Sequence, residues 1–341
     1  MHRCIKECPA SRESPAGDPV FGLNAGSRIV LIALAAVLLS ACQSVSKDDA
    51  TAFQSAATSL GQESTAVLGN LGTVKEEEQL DYVLTRSDAY LAEGDFAPVI
   101  PSKAQAAFLQ QLATLKAYAD VLQSIANKDY RGSFSASLTT FKAGLATTGA
   151  DVNSLAHIAS PATMNQVEKA AGTVSGIVAG LGETIIDLET QRKAMAVLKE
   201  SNQAMTDYLT GCADIFSPTD TFDPTKLTPC IASEVYSAYN QHLVQFDREF
   251  QILGSEAPKV AADQKSWLGK RTLLATSYRD QLLARDKAVL QVLQLRKAAL
   301  KIIEAHKALA AGDKLTFQTS VQQALDTLTY VSTVYQKVSK S

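Results

Sequence analysis

Apolar residues recur with a helical period along almost the whole chain. From Ala104 the series Phe108, Leu112, Leu115, Ala119, Leu122 and Ala126 steps by four and three, which places one stripe on one helical face. Near the end Phe317, Val321, Leu325, Leu328, Val331 and Tyr335 repeat the pattern. Clear alternation at period two is missing, so no sheet is predicted. The prolines beyond residue 42 all fall where a helix would stop or start, as expected of a residue that lacks the backbone donor.

Those breaks divide the chain into elements. A first helical stretch is predicted from about Lys47 to Leu91, with an interruption allowed near Gly69 to Gly72, closed by "AEGDFAPVIPSK", where Pro98 and Pro101 force extended backbone and Ser102 can cap the second helix. That helix reaches Asn127, "NKDYRGS" turns the chain, and another runs from about Ser133 to Ile158. Ser160-Pro161 then reads as an N-cap followed by proline at the first helical position. From Pro161 to about Phe216 only glycines interrupt the pattern, which predicts one helix on the order of 80 Å long. Beyond the loop "SPTDTFDPTKLTP" come a helix from about Cys230 to Leu253, a break at Pro258, and a second very long helix from Val260 to Ala310. Apolar residues on more than one side of this last helix predict a central place in the bundle. Ala311-Gly312-Asp313 turns the chain into the final helix. The expected fold is all-α: an elongated antiparallel bundle of six or seven helices, two of them very long, with residues 47–341 as a single domain.

The segment before this bundle is of a different kind. Ile29 to Leu39 is apolar for about half of the roughly 20 residues that a membrane-spanning helix needs, and Arg28 precedes it, as in the hydrophobic core of a secretory signal. It ends in Leu39-Ser40-Ala41-Cys42. This resembles the lipobox of bacterial lipoproteins, an aliphatic residue and two small ones ahead of an obligatory cysteine. The resemblance covers this segment alone. It implies a leader of residues 1–41 cut off after Ala41, lipid on the thiol and new amino terminus of Cys42, and a short tether over residues 42–46. Gln43, in place of the aspartate that holds such proteins at the inner membrane, implies the outer membrane, with the protein facing the periplasm. Two or more acyl chains make such anchoring stable, and no later segment is apolar for twenty residues in a row. Without the leader, 28 Lys and Arg stand against 32 Asp and Glu, a balance that does not suggest nucleic acid.

Export bears on the cysteines. With Cys4 and Cys8 in the leader and Cys42 acylated, Cys212 and Cys230 remain, flanking the Pro-rich loop. In an oxidising compartment they are expected to form a disulfide contributing roughly 3 kcal/mol, the alternative being two buried thiols.

Catalytic and metal-binding patterns are scarce. His157, His242 and His306 each lack a second His or Cys three or four residues away, so helical zinc spacing is missing. No Gly-x-Ser-x-Gly elbow occurs, and "GLGETI" near Gly180 lacks the third glycine of a dinucleotide fingerprint. Trp267, Tyr278, Tyr236, Tyr239, Phe246 and Phe250 read as core packing. No catalytic residue, metal or cofactor is predicted, and the chain is not expected to be an enzyme.

"AAGTVSGIVAGLG", Ala170 to Gly182, carries no charge and puts Gly172, Gly176 and Gly180 on one helical face. Each glycine costs a helix about 1 kcal/mol relative to alanine, and close approach of a second helix would offset that. The stretch also resembles the Ala/Gly-rich head segment of α-helical pore-forming toxins, which implies insertion into a membrane. Two functions are expected from these features. The first is an outer-membrane-anchored, non-enzymatic structural or interaction module with an envelope protein as partner. The second is a membrane-active or switching bundle that uses residues 170–182.

Overall fold

Eight α-helices make up the described residues of the computed structural model, which are 46–85, 98–127, 132–179, 196, 199–257 and 261–338. They are α1 (Lys47–Thr85), α2 (Ser102–Ala126), α3 (Ser133–Asp151), α4 (Pro161–Ala179), α5 (Asn202–Phe216), α6 (Ile231–Ser255), α7 (Ala261–Ala311) and α8 (Lys314–Val338). A 3₁₀ turn, Val152–Leu155, follows α3. Among the described residues there is no strand, only an isolated bridge between Ala159 and Cys230. Val45–Ser341 forms one compact unit.

The all-α bundle is as expected; the helix count is higher. Pro161 to Phe216 does not form one helix, because α4 and α5 lie side by side in opposite directions. Gln166 donates to the Asp207 carbonyl across that pair at 3.0 Å, and Gly211 faces Val167. A stripe of period 3.6 continues through a fold-back as readily as through a straight helix, so the pattern carried no sign of the reversal. The second long helix is instead α1, with 39 residues, beside α7, with 51 residues or about 75 Å at 1.5 Å per residue.

Several helix ends follow the sequence chemistry. Ser160 Oγ accepts from the Thr163 amide at 3.1 Å, the expected cap ahead of Pro161. Gly312, at φ 75°, closes α7: its amide meets the Leu309 carbonyl at 3.2 Å and that of Asp313 meets Ala308 at 2.9 Å, a Schellman arrangement that needs a left-handed residue. Asp313 then caps α8 through the Thr316 amide. Ser102 departs from expectation, since Pro101 holds the cap position and no side chain caps α2.

Neighbours mostly run antiparallel. Gln54 reaches Asp120 and Gln123 reaches Thr51 across α1 and α2, while α1 and α8 run parallel, with Asp49 against Gln318 and Phe53 stacked on Phe317. Buried aromatics knit the layers: Phe108 meets Phe216 edge-on at 4.9 Å, and Tyr118 touches Phe53, Phe141 and His306. Each such pair adds about 0.5–1.5 kcal/mol beyond its buried area.

The second half of α7, from Ala288 onward, is central: it packs on α1, α5 and α8 and buries Val292, Leu295, Ala298, Ile302 and Ala305. Its first half is not central, which corrects the expectation for the whole helix. Over residues 263–287 its residues are exposed or half-exposed, and they pack on α6. The first half of α6 buries Ile231, Ala232, Val235 and Tyr239 in the core, whereas its second half, from Val244, pairs with the first half of α7 as a two-helix arm that extends beyond the core.

Candidate functional site

The residues singled out in the sequence do not converge. Cys42 and Gly180 lie outside the described residues. Gly172 and Gly176 are exposed on α4, and a Cβ at either would meet nothing within 4 Å, so among the described residues no neighbouring helix offsets their cost. Gly172 lines an open groove of about 500 Å³ between α3 and α4 with Leu145, Gly149 and Asn165. The described part of the apolar stretch is an ordinary amphipathic helix that buries Val174 and Val178 in the core.

Close backbone approach occurs elsewhere. A Cβ on Gly144 would stand 2.4 Å from Thr114 Oγ1, and one on Gly211 would stand 2.4 Å from Val167 Cγ2. Both glycines are buried, at the contacts of α3 with α2 and of α5 with α4.

The expected disulfide is not formed: Cys212 and Cys230 are both buried free thiols. Each has a different local task. Cys212 lies within α5 and donates to Gln111 Oε1 of α2 at 3.5 Å, while Cys230 caps α6, its sulfur accepting from the Ser233 amide at 3.4 Å. Burial pushes the Cys212 thiol up to about 12, which keeps it protonated and inert.

Buried polar groups form two clusters. In the first, Arg296 of α7 is 8 % exposed and holds the start of the α5–α6 loop. Its Nε donates to the Ser217 carbonyl at 2.5 Å, its Nη2 to the Pro218 carbonyl at 3.2 Å and to Asp214 at 3.5 Å, and its Nη1 to Asp220. Burial raises the pKa of the Asp214 carboxyl, and the Arg296 charge opposes that rise. The second cluster joins α2, α5 and α7. His306 Nδ1 lies 3.1 Å from the Tyr118 hydroxyl, and burial lowers the imidazole to about 4, so the ring is neutral. Among the described residues Thr206 Oγ1 and Asn202 Oδ1 are buried without a hydrogen-bond partner, and the Asn202 backbone engages the His306 ring. Among the described residues no group of three or more His, Cys, Asp and Glu side chains could hold a metal.

The arm has the opposite character. Its two helices are in antiparallel register: Trp267 Nε1 donates to the Leu253 carbonyl at 2.7 Å, the Arg271 guanidinium lies 4.0 Å over Phe250 and 5.0 Å over Trp267, and Arg285 lies 4.8 Å over Tyr236. Cation–π contacts of this kind contribute about 0.5–1 kcal/mol each where water reaches them. Outside this seam Val244, Ile252, Leu268, Leu273 and Leu283 are exposed, each by 51 % or more. Of the aromatics read from the sequence as core packing, Tyr239 is buried, while Tyr236, Phe246, Phe250, Trp267 and Tyr278 are only half-buried, and the sequence reading missed the bareness of the arm's outer faces. The sequence signal for that was the excess of leucines off the main stripe of α7.

Comparison with known proteins finds no matching family model, no similar curated protein and no similar solved structure. Among the described residues no helix is long and apolar enough to cross a membrane.

Proposed function

We propose that this chain is a lipid-anchored envelope protein that works without catalysis, as a structural and interaction module. Cys42 supplies the anchor in the outer membrane, and the bundle offers its contact surface on the periplasmic side. One observation carries the reading as an interaction module: the arm made with α7 extends beyond the core with five large apolar side chains exposed. The buried polar groups, in contrast, serve as clamps and caps within the fold. Scattered single apolar residues on a surface need no explanation, but a concentration of them on one projecting element marks a contact site.

The test is the intact mass of protein extracted from membranes, beside a Cys42→Ala variant. A species that begins at Cys42 with added acyl mass, lost in the variant, supports the anchor. An unprocessed chain without acyl groups refutes it. For the module itself, removing the exposed leucines of the arm should impair envelope integrity while fold and anchoring stay intact. An unaltered envelope would count against a contact role for the arm.

A further inference from the structure

One side of α7 stays exposed from the arm into the bundle. Leu268, Ala275, Arg279, Leu283, Asp286 and Leu290 are all exposed there, and Leu268, Leu283 and Leu290 by 55 %, 52 % and 41 %. They step by seven, four, four, three and four residues, so they share one helical face. That face stands about 100° round the helix from Trp267, Arg271 and Arg285, three residues that contact α6. Lys297, seven residues beyond Leu290, is exposed on the same face. Asp280 and Lys287, also exposed and seven residues apart, border it on the side away from α6.

The order of residues on this face is its own complement. Beside a second α7 in antiparallel direction, with a twofold axis at Leu283, each residue before Leu283 meets one equally far after it, to within one residue. Leu283 then packs on Leu283 of the second copy, the small Ala275 takes its Leu290, and Leu268 lies along the stem of its Lys297. Between these contacts Arg279 faces Asp286 of the second copy and Asp280 faces its Lys287, each pair occurring twice. In parallel order the same residues would meet themselves, arginine on arginine and aspartate on aspartate, so the charges select the antiparallel pair. Within one copy Arg279 pairs with Asp280 and Arg285 with Asp286, surface contacts between chain neighbours that contribute little and are exchanged at little cost. The overlap from Leu268 to Lys297 spans about 44 Å of helix, so the arm of each copy lies along the bundle half of the other's α7. An unrelated protein on this face has no reason to match such twofold order, whereas a closed self-pair requires it. We propose that α7 pairs with a second copy of itself, antiparallel and centred on Leu283, so that two chains form a symmetric dimer. This rests on the reading of the arm as a contact surface and names its partner, and it is independent of acylation at Cys42.

Charge exchange tests this pairing. Sedimentation velocity of the full chain at rising concentration should show an equilibrium between monomer and dimer. Arg279→Asp sets like acidic groups against each other at both contacts, and Asp286→Arg sets like basic ones. Each variant alone should therefore be monomeric, with its helical circular dichroism unchanged. Mixed in equal amounts, the two variants again present opposite charges at both contacts, and the dimer should return. Leu283→Ser should weaken the dimer by roughly tenfold or more, since the change falls on the axis and is made in both copies. A parent chain that stays monomeric throughout overturns the proposal and leaves the arm to another partner. Single variants that dimerise like the parent overturn it as well, and so does a mixture that stays monomeric although the parent dimerises. Failure of the envelope role looks different: the dimer then forms and responds to charge exchange, while removing the exposed leucines of the arm leaves the envelope unaltered.

Discussion

Gly211→Ala should destabilise the fold, and Gly172→Ala should stabilise it, although both place alanine where a helix holds glycine. The shared contribution is helix propensity, a gain of about 1 kcal/mol for alanine over glycine. At Gly172 nothing lies within 4 Å of the new methyl group, so the gain stands nearly alone, at roughly 0.5–1 kcal/mol. At Gly211 the methyl would sit 2.4 Å from Val167 Cγ2, and Val167 is fully buried. A β-branched side chain in a helix has essentially one χ1 rotamer, so Val167 cannot swing aside and α4 must move from α5. Overpacking of this kind costs about 1–3 kcal/mol, which leaves Gly211→Ala net unfavourable by about 1 kcal/mol. The two variants should therefore move the urea midpoint in opposite directions at equal m-value, read by far-UV circular dichroism. Val167→Ala removes the clashing methyl, so the Gly211→Ala, Val167→Ala pair should couple favourably by about 1 kcal/mol or more. A Gly211→Ala midpoint at or above the parent, or a Gly172→Ala midpoint below it, would refute this account of helix packing.

Arg296→Met should cost about 2–3 kcal/mol, since it strips the Ser217 and Pro218 carbonyls of a charged donor and leaves Asp214 unpaired. The readout that isolates the clamp is tryptic cleavage after exposed Lys226, which should quicken; an unchanged rate means that the loop is held by something else. His306 gives a pH dependence. Its folded-state pKa, about 4, lies below the usual 6.5, so between these values the unfolded chain binds the extra proton and stability falls as pH drops. The full loss is about 3 kcal/mol at roughly 1.4 kcal/mol per unit, and His306→Gln should remove that part of the slope in urea titrations. Cys212 and Cys230 should resist iodoacetamide in the native protein and react once it is unfolded, with no mass change on reduction. Rapid native labelling, or a gain of two hydrogens on reduction, would contradict the buried free thiols.

The sequence yielded what depends on one helix at a time and withheld what depends on two. The stripe from Phe108 to Ala126 gives α2 because amphipathic spacing is a property of a single helix, and Ser160-Pro161 and Gly312-Asp313 give their turns because caps are local chemistry. The fold-back between α4 and α5 stayed hidden because each partner keeps its own apolar stripe whichever way the chain runs. The glycines show the same limit from the other side. Gly172, Gly176 and Gly180 form a regular row, whereas the close contacts fall at isolated Gly144 and Gly211, because the need for a missing Cβ is set by the helix opposite. The cysteine pair failed for a related reason, as sequence spacing says nothing of where two sulfurs point.

The arm turns this limit into a clue. In α7 the row Leu274, Tyr278, Leu282 satisfies the demand of one neighbour, α6, and a helix with one neighbour needs no second row. Leu268, Leu273 and Leu283 lie off that row and are exposed where the structure places them. Apolar residues that break the period of a two-helix pair thus mark surface whose counterpart is not another part of this fold.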